Sequence, residues 1–338
     1  MFRLHRFAAT VAALAASSLF LTGCVAGEGA AHEKAETTLN IDFATYNPLS
    51  LIIKEKGWLE DALDDDGVSV NWLQSAGSNK ANQALRTESV DIGSTAGSAA
   101  LLARANGSPI KTIALYSQPE WSALVVAPDS DVTDASQLKG KKIAATKGTD
   151  PYFFLLQSLE ANGLTPDDVT IENLQHADGW GALQNGSVDA WAGLDPIMAG
   201  AEQAGASLIY RNLDFNTYGF LNATESFLSE QPEVAQTVVD AYEHARAWAA
   251  DNPDETAQIL ADVAGLELDV ATKVITERSN LDVSAVPGQK QLDVLTAIGP
   301  MLVEIGDVSS QDLVDDALES LLDPSFAEKA DPSAVGAE

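Results

Sequence analysis

The order of apolar and polar positions divides the chain into short β-type runs separated by helical stretches. Apolar and β-branched runs at 39–44, 68–73, 90–94 and 110–116 predict strands, and a longer run at 121–127 continues the series. Further strands are predicted over 142–145, 169–174, 190–193, 207–209 and 218–222. Helical patterns fill most of the intervals, over 48–62, 80–87, 99–106, 151–162, 179–185 and 196–204. Pro48 and Pro151 fall in first helical turns, where a missing N–H is harmless. From Phe227 onward the β pattern stops; helices are predicted through 252, then over 253–264, 268–278, 289–298 and 310–321. Such alternation implies an α/β fold.

An internal echo refines this. Ala84-Leu85-x-x-x-Ser89-Val90-Asp91 recurs as Ala182-Leu183-x-x-x-Ser187-Val188-Asp189, each time a helix end turning into a strand. The two copies fall at equivalent points of two βα arrays, which implies two similar lobes, each on its own sheet. Strand 121–127 is expected to carry the chain from the first lobe to the second, and strand 218–222 to carry it back. The expected division is 39–124 with 220–323 for lobe I and 125–219 for lobe II. Two crossing strands leave a cleft between lobes, where a small ligand binds and a hinge closes.

Composition narrows the partners. The chain has 338 residues with 19 basic and 50 acidic side chains, a formal charge of −31. That excludes nucleic acid and adsorption to anionic lipid as the expected business of the protein. The acidic residues are spread thinly, the longest run being Asp64-Asp65-Asp66, as on a solvated surface.

The N-terminus adds a destination. Arg3 and Arg6 precede an apolar stretch from Phe7 to Leu21, too short for a comfortable membrane span and suited to a signal peptide over 1–23. It ends in Leu21-Thr22-Gly23-Cys24, which resembles the lipobox of bacterial lipoproteins. The resemblance implies cleavage before Cys24, lipidation of its thiol and a lipid anchor on the outer face of a membrane; the alternative is an ordinary signal peptide with an incidental cysteine. Cys24 is the single cysteine, so no disulfide framework or Cys-based metal site is expected. Residues 24–38 read as a flexible tether and 324–338 as a loose tail.

Candidate chemistry lies in four loops, each between a strand and a helix: Thr45-Tyr46-Asn47, Ser75-Ala76-Gly77-Ser78-Asn79, Ser94-Thr95-Ala96-Gly97-Ser98 and Thr146-Lys147-Gly148-Thr149. Each offers backbone N–H groups and hydroxyls at a helix N-terminus, where the dipole favours an anion. Singly, such residues are ordinary N-caps. Four in register, free of carboxylates in a strongly acidic chain, point to a site for something negative. Trp121, Trp180, Trp191, Tyr152 and Tyr218 stand near element ends and could wall a cleft or belong to the core. Asp195 could cap a helix, contact a hinge or meet a cationic ligand group; Glu120, beside Trp121 at the crossover, is open to similar readings.

Ser75-Ala76-Gly77, Ser89-Val90-Asp91-Ile92-Gly93-Ser94-Thr95, Leu138-Lys139-Gly140-Lys141-Lys142-Ile143-Ala144 with Lys147-Gly148, and Val188-Asp189-Ala190-Trp191 with Asp195-Pro196 resemble the aliphatic-sulfonate-binding proteins of ABC importers, with the related taurine and nitrate binders. The resemblance runs from about Leu39 past Phe220. It implies the type II periplasmic-binding fold, with two lobes that each carry a mixed sheet flanked by helices. It also implies ligand capture by Tyr46, Asn47, Gly77, Ser78, Thr95, Ala96, Gly148, Thr149, Trp191 and Asp195. Trp121 and Glu120 join these candidates by position; taurine binders use a carboxylate for the amine, and whether Glu120 corresponds to it is left open. The implied partners are a small anionic solute and an ABC permease, the implied state a monomer, and no cofactor is implied.

Enzyme signatures are weak. Lys147-Gly148-Thr149 has the wrong order for a P-loop, and Gly93-Ser94-Thr95-Ala96-Gly97 has Thr where a nucleophile elbow needs Ser. His5, His32, His176 and His244 lack metal-ligand spacing. The function expected is solute binding, with taurine, nitrate or a thiamine-precursor pyrimidine as alternative ligands and an enzyme on the same fold as the rival.

Overall fold

A computed structural model describes residues 37–336; the expected signal peptide, Cys24 and nearly all of the tether lie outside the described residues. Ten strands form in those residues: β1 (Thr37–Phe43), β2 (Val68–Gln74), β3 (Ile92–Ala96), β4 (Ile110–Ser117), β5 (Ser122–Val126), β6 (Lys142–Ala145), β7 (Thr170–Asn173), β8 (Ala190–Leu194), β9 (Ser207–Tyr210) and β10 (Gly219–Thr224). Thr37 and Thr38 already pair with Val68 and Ser69, so the tether ends two residues earlier than expected.

The strands make two five-stranded sheets, ordered β2-β1-β3-β10-β4 and β7-β6-β8-β5-β9. In each, the first three strands run parallel and the fourth is antiparallel to both of its neighbours. That fourth strand is the one the chain brings in as it passes between lobes, β10 in the first and β5 in the second. Each lies wholly in one sheet, so the passages themselves are the short segments 118–121 and 211–218.

The echoed octapeptides build the same joint twice. Ser89 N donates to Ala84 O and Ser187 N to Ala182 O, both at 2.9 Å, turning the chain out of its helix. Each Asp then clips two parallel strands together: Asp91 Oδ2 accepts from Asn40 N at 2.7 Å, and Asp189 Oδ2 accepts from Lys142 N at 2.8 Å. The turn needs a left-handed residue, supplied by Gly186 (φ 73°) in one copy and by Glu88 (φ 53°) in the other.

Helices cover the sheets. Those of the βα arrays are α1 (Pro48–Lys56), α2 (Trp58–Asp64), α3 (Ser78–Arg86), α4 (Gly97–Ala105), α5 (Asp150–Ala161), α6 (His176–Gln184) and α7 (Ile197–Gln203). The single helix expected over 48–62 is two, because Gly57 sits at φ 70° and ends α1 with its N–H on Ile53 O. After β10 come α8 (Glu225–Glu230), α9 (Pro232–Asp251), α10 (Pro253–Ala264), α11 (Leu268–Lys273), α12 (Gln289–Glu304) and α13 (Gln311–Ser320). Pro232, which has no N–H to continue a ladder, starts α9 afresh. Residues Val274–Arg278 widen α11 into a π-helical turn.

The expected loose tail is a correction. After α13 the chain adds to the exposed edge of β4, with Thr112 N on Leu321 O at 2.8 Å and Asp323 N on Thr112 O at 2.9 Å. It then runs along α9, where Asp331 N reaches Asp240 Oδ1 (2.9 Å) and Pro332 O meets His244 Nδ1 (2.8 Å). Ala327 and Val335 are buried, and Phe326 packs beside them. Small polar residues suggest a free end, but burial of these few apolar side chains outweighs that bias. Truncation after Leu322 is therefore expected to cost about 3 kcal/mol, read as a lower urea midpoint at unchanged secondary structure.

Candidate functional site

The parallel strands of both sheets end at one seam, and α3, α4, α5 and α6 begin there. At its centre is Asp150, the first residue of α5, which is 1% exposed. Its Oδ1 accepts from Ser98 Oγ of α4 (2.6 Å) and Thr217 Oγ1 (2.7 Å); its Oδ2 accepts from Trp121 Nε1 (2.8 Å) and Thr217 N (2.7 Å). One carboxylate thus joins lobe I, lobe II and both crossing segments. Burial raises its pKa, and the donors from Ser98, Trp121 and Thr217 pull the other way. Trp121, held by this bond, meets Tyr46 edge-on at 6.1 Å and Tyr116 at 6.4 Å.

The lobe I loops are wired to one another. Asn47 caps α1 through Ser50 N and donates Nδ2 to Tyr242 Oη at 3.0 Å. Tyr46 Oη donates to Ser94 O (3.0 Å), Ser78 Oγ accepts from Ala96 N (2.9 Å), and Thr95 Oγ1 accepts from Asn222 Nδ2 (2.8 Å). Beneath them Asp42 Oδ1 takes both Ser94 N (2.8 Å) and Ser94 Oγ (2.6 Å), while its Oδ2 has no partner among the described residues. Burial lifts the Asp42 pKa to about 6 against the hydrogen bonds from Ser94. Tyr46, Asn47, Thr95 and Ala96 thus form a buried, hydrogen-bonded shelf.

Across the seam, Thr149 Oγ1 donates to Thr146 O and Thr146 Oγ1 to Leu174 O, each at 2.6 Å. Thr146 has then used its only proton, so its contact with His176 Nδ1 (3.2 Å) makes the imidazole the donor there. In neutral His176 the remaining Nε2 is an acceptor; it is buried, without a partner among the described residues, and turned toward Gly77 of lobe I. Burial holds the His176 pKa down at about 4. A Cβ on Gly77 would lie 3.0 Å from both His176 Nε2 and Asn79 Oδ1, and the residue sits at φ +146°, so the lobes meet here only because position 77 is glycine. Gly148 faces Asn79 and Leu102, which a Cβ there would meet at an ordinary contact distance of 3.8 Å; its φ of +75° is what favours glycine.

Gly77, Ser78, Gly148 and Thr149 are therefore brought together at the seam, with Trp121 at its hinge end. Three other expectations change. Glu120 is not aimed into the seam: Arg211 holds it in a bidentate pair at 2.9 and 2.7 Å on the outside. Trp191 lies in the second lobe's core, against Trp180 and under Gly179, because β8 is buried on both faces. Asp195 does cap α7 through Ala199 N (3.0 Å), but it also pairs with buried Arg278 at 3.2 Å. Arg278 bonds Glu202 as well, and Lys273 joins Glu202 at 3.3 Å, tying α7 to the turn after α11. Burial raises Asp195 to about 6 despite Arg278. Asp150 and His176 were not among the expected site residues. Gln175-His176 is a strand–loop–helix junction like the other four, hidden because α6 starts three residues before the expected 179.

The seam thus collects four helix N-termini with their backbone N–H groups, and the Ser78 hydroxyl, which accepts from Ala96 N, while Asp150 is already engaged on both oxygens. That arrangement favours a small anion.

Two outcomes follow. Asp150→Asn keeps the shape but turns an NH2 group at donors, and is expected to cost about 3 kcal/mol in urea unfolding. For Asp42, the folded pKa near 6 lies above the unfolded value. Its contribution is therefore fully present below about pH 4 and is lost as pH rises through 6, about 3 kcal/mol in all. Asp42→Asn, which still accepts from Ser94, is expected to remove that amount from the pH dependence between pH 4 and 7, leaving the falling contributions of Asp195 and Asp150 and the rising one of His176, whose folded pKa lies below its unfolded value.

Comparison with known proteins bears on this geometry. A protein of Bacillus subtilis (strain 168) named as an aliphatic sulfonates-binding protein is 29% identical over 274 residues, 80% of this chain and 82% of its own. The alkanesulfonate-binding protein SsuA from Xanthomonas axonopodis pv. citri, bound to MOPS, superposes with a TM-score of 0.75 at 23% identity, over 83% of this chain and 97% of that one. The desulfurization enzyme DszB shares the fold too, with a TM-score of 0.63 at 18% identity, over 86% of this chain and 98% of its own. The two mixed sheets flanked by helices are those of the periplasmic-binding-protein fold. The profile of the family described as NMT1/THI5 like matches residues 50–256, more than half of the sequence, and the chain belongs to that family.

Proposed function

We propose that the protein is the extracytoplasmic solute-binding component of an ABC importer, closing its lobes over an aliphatic sulfonate and presenting it to a membrane permease. The observation that carries this reading is the convergence of four helix N-termini on one seam. A sulfonate offers three oxygens to such donors, and exclusion of water on closure strengthens each contact. The Bacillus subtilis relative and the Xanthomonas SsuA structure support it through what their names say they bind. Because Glu120 is paired with Arg211, no carboxylate there is free to take an amine, which favours a plain sulfonate over taurine. Gly77, Ser78, Gly148 and Thr149 are the positions assigned to the ligand, with His176 beside them and Trp121 as the hinge wall. Tyr46, Asn47, Thr95, Ala96 and Asp150 position them. Lipidation of Cys24 would hold a monomeric clamp at the membrane beside its permease.

The rival is an enzyme, since DszB shows that this fold also carries chemistry. The binding reading is preferred because the relative similar over most of the chain is named a binding protein.

A thermal-shift screen of residues 25–338 tests it. An alkanesulfonate at about a hundred times its Kd is expected to raise the melting temperature by on the order of 5 °C. A shift with nitrate, taurine or a pyrimidine and none with any alkanesulfonate would replace the ligand assigned here.

A further inference from the structure

The seam is bolted along one side and light along the other. On the bolted side are the crossing segments, the Asp150 bonds and the Asp195–Arg278 pair. Away from these bonds the lobes touch at Gly77 and Gly148, through one long hydrogen bond, Asn79 Nδ2 to Gln175 Oε1 at 3.4 Å, and through apolar packing of α5 against α4. Lobes joined in this way part on the light side.

A cavity of about 350 Å³ lies there, with Asn79, Asn82, Arg86, Lys147, Gly148 and Asp307 in its wall. Arg86 comes from lobe I and Lys147 from lobe II. Among the described residues, just over half of the Lys and Arg side chains are held by carboxylates, as in the Lys56–Glu255, Arg104–Glu225, Lys139–Asp168 and Arg211–Glu120 pairs. Arg86 and Lys147 have no ion pair among the described residues; Lys147 lies over the Tyr152 ring at 5.6 Å. Asp307 is the one carboxylate in the group of six. Burial raises its pKa and Lys147 lowers it from beyond ion-pair distance. A second cavity of about 650 Å³ on the other side of Lys147 is flanked by Glu160, Asp167 and Glu304 and so repels anions.

An anion approaching a surface with a net charge of −31 is repelled almost everywhere. We propose that the Arg86–Lys147 cavity is the mouth through which the anionic solute reaches the seam, the two cations steering it past Asn79 and Gly148. The inference rests on the anion-binding reading above and adds the route and the residues that set the capture rate.

Stopped-flow binding of an alkanesulfonate to the full-length protein, across ionic strengths, tests it. In Arg86→Gln/Lys147→Gln the association rate constant is expected to fall about five- to tenfold at low salt with the dissociation rate unchanged, and the difference to vanish near 0.5 M salt. Lys290→Gln/Lys329→Gln makes the same change in net charge away from the cavity and is expected to leave the rate at the wild-type value. An unchanged association rate in the Arg86/Lys147 variant overturns the proposal, as does a loss appearing only in dissociation, which would make the pair part of the bound site. An equal loss in the control variant overturns it in favour of net charge alone. Wild-type protein that binds no alkanesulfonate defeats the underlying reading as well, an outcome distinct from the others.

Discussion

The structure depends on one buried carboxylate. Asp150 receives four hydrogen bonds from three segments that are far apart in sequence: the start of α4, the first crossing and the second crossing. With the Asp195–Arg278 pair, this common acceptor fixes the relative position of two lobes whose chain connections are short passages. A buried charge is costly unless its lone pairs are filled, and here both oxygens are served. The same requirement makes the joint specific, because each donor must reach Asp150 from its own direction. Trp121 is fixed by this bond, and through its edge-on contact Tyr46 is aligned with it.

Around that point, polar groups are used to hold polar groups. Asp42, Ser94, Ser78, Asn47 and Tyr242 make lobe I a rigid shelf, while Thr146 and Thr149 brace the loop before α5. The two lobes then approach across Gly77, where the absence of a side chain sets the gap, and beside Gly148. Stiff loops facing each other over glycines leave a seam whose width is governed by the hinge and not by the side chains that line it.

The first-order architecture was legible in the order of residues. All ten strands appear close to their expected places, since a buried strand needs its apolar run whatever surrounds it. The echoed octapeptides were legible for a sharper reason: each combines a helix exit, a left-handed turn and an Asp that clips adjacent strands, so the same local problem recruits the same residues. Gly77 and Gly148 were legible as members of the donor-rich loops; both take a positive φ that favours glycine, and at Gly77 close approach demands it as well.

What lay beyond the sequence were pairings over long separations. Nothing local distinguishes Glu120, which turns outward to Arg211 some ninety residues later, from a carboxylate facing a ligand. Trp191 reads equally as cleft wall or core until the sheet order buries β8 on both faces. His176 looked like an isolated histidine because its partner Thr146 follows another strand and its neighbour Gly77 belongs to the other lobe. The tail seemed free because the groove that receives it is made by α9 and the edge of β4. Periodicity and turn chemistry are properties of neighbouring residues, so the sequence by itself determined the strands, most helices, the repeated lobe and the donor-rich loops. The partner of each buried charge is a property of the folded chain, and only the tertiary structure decided it.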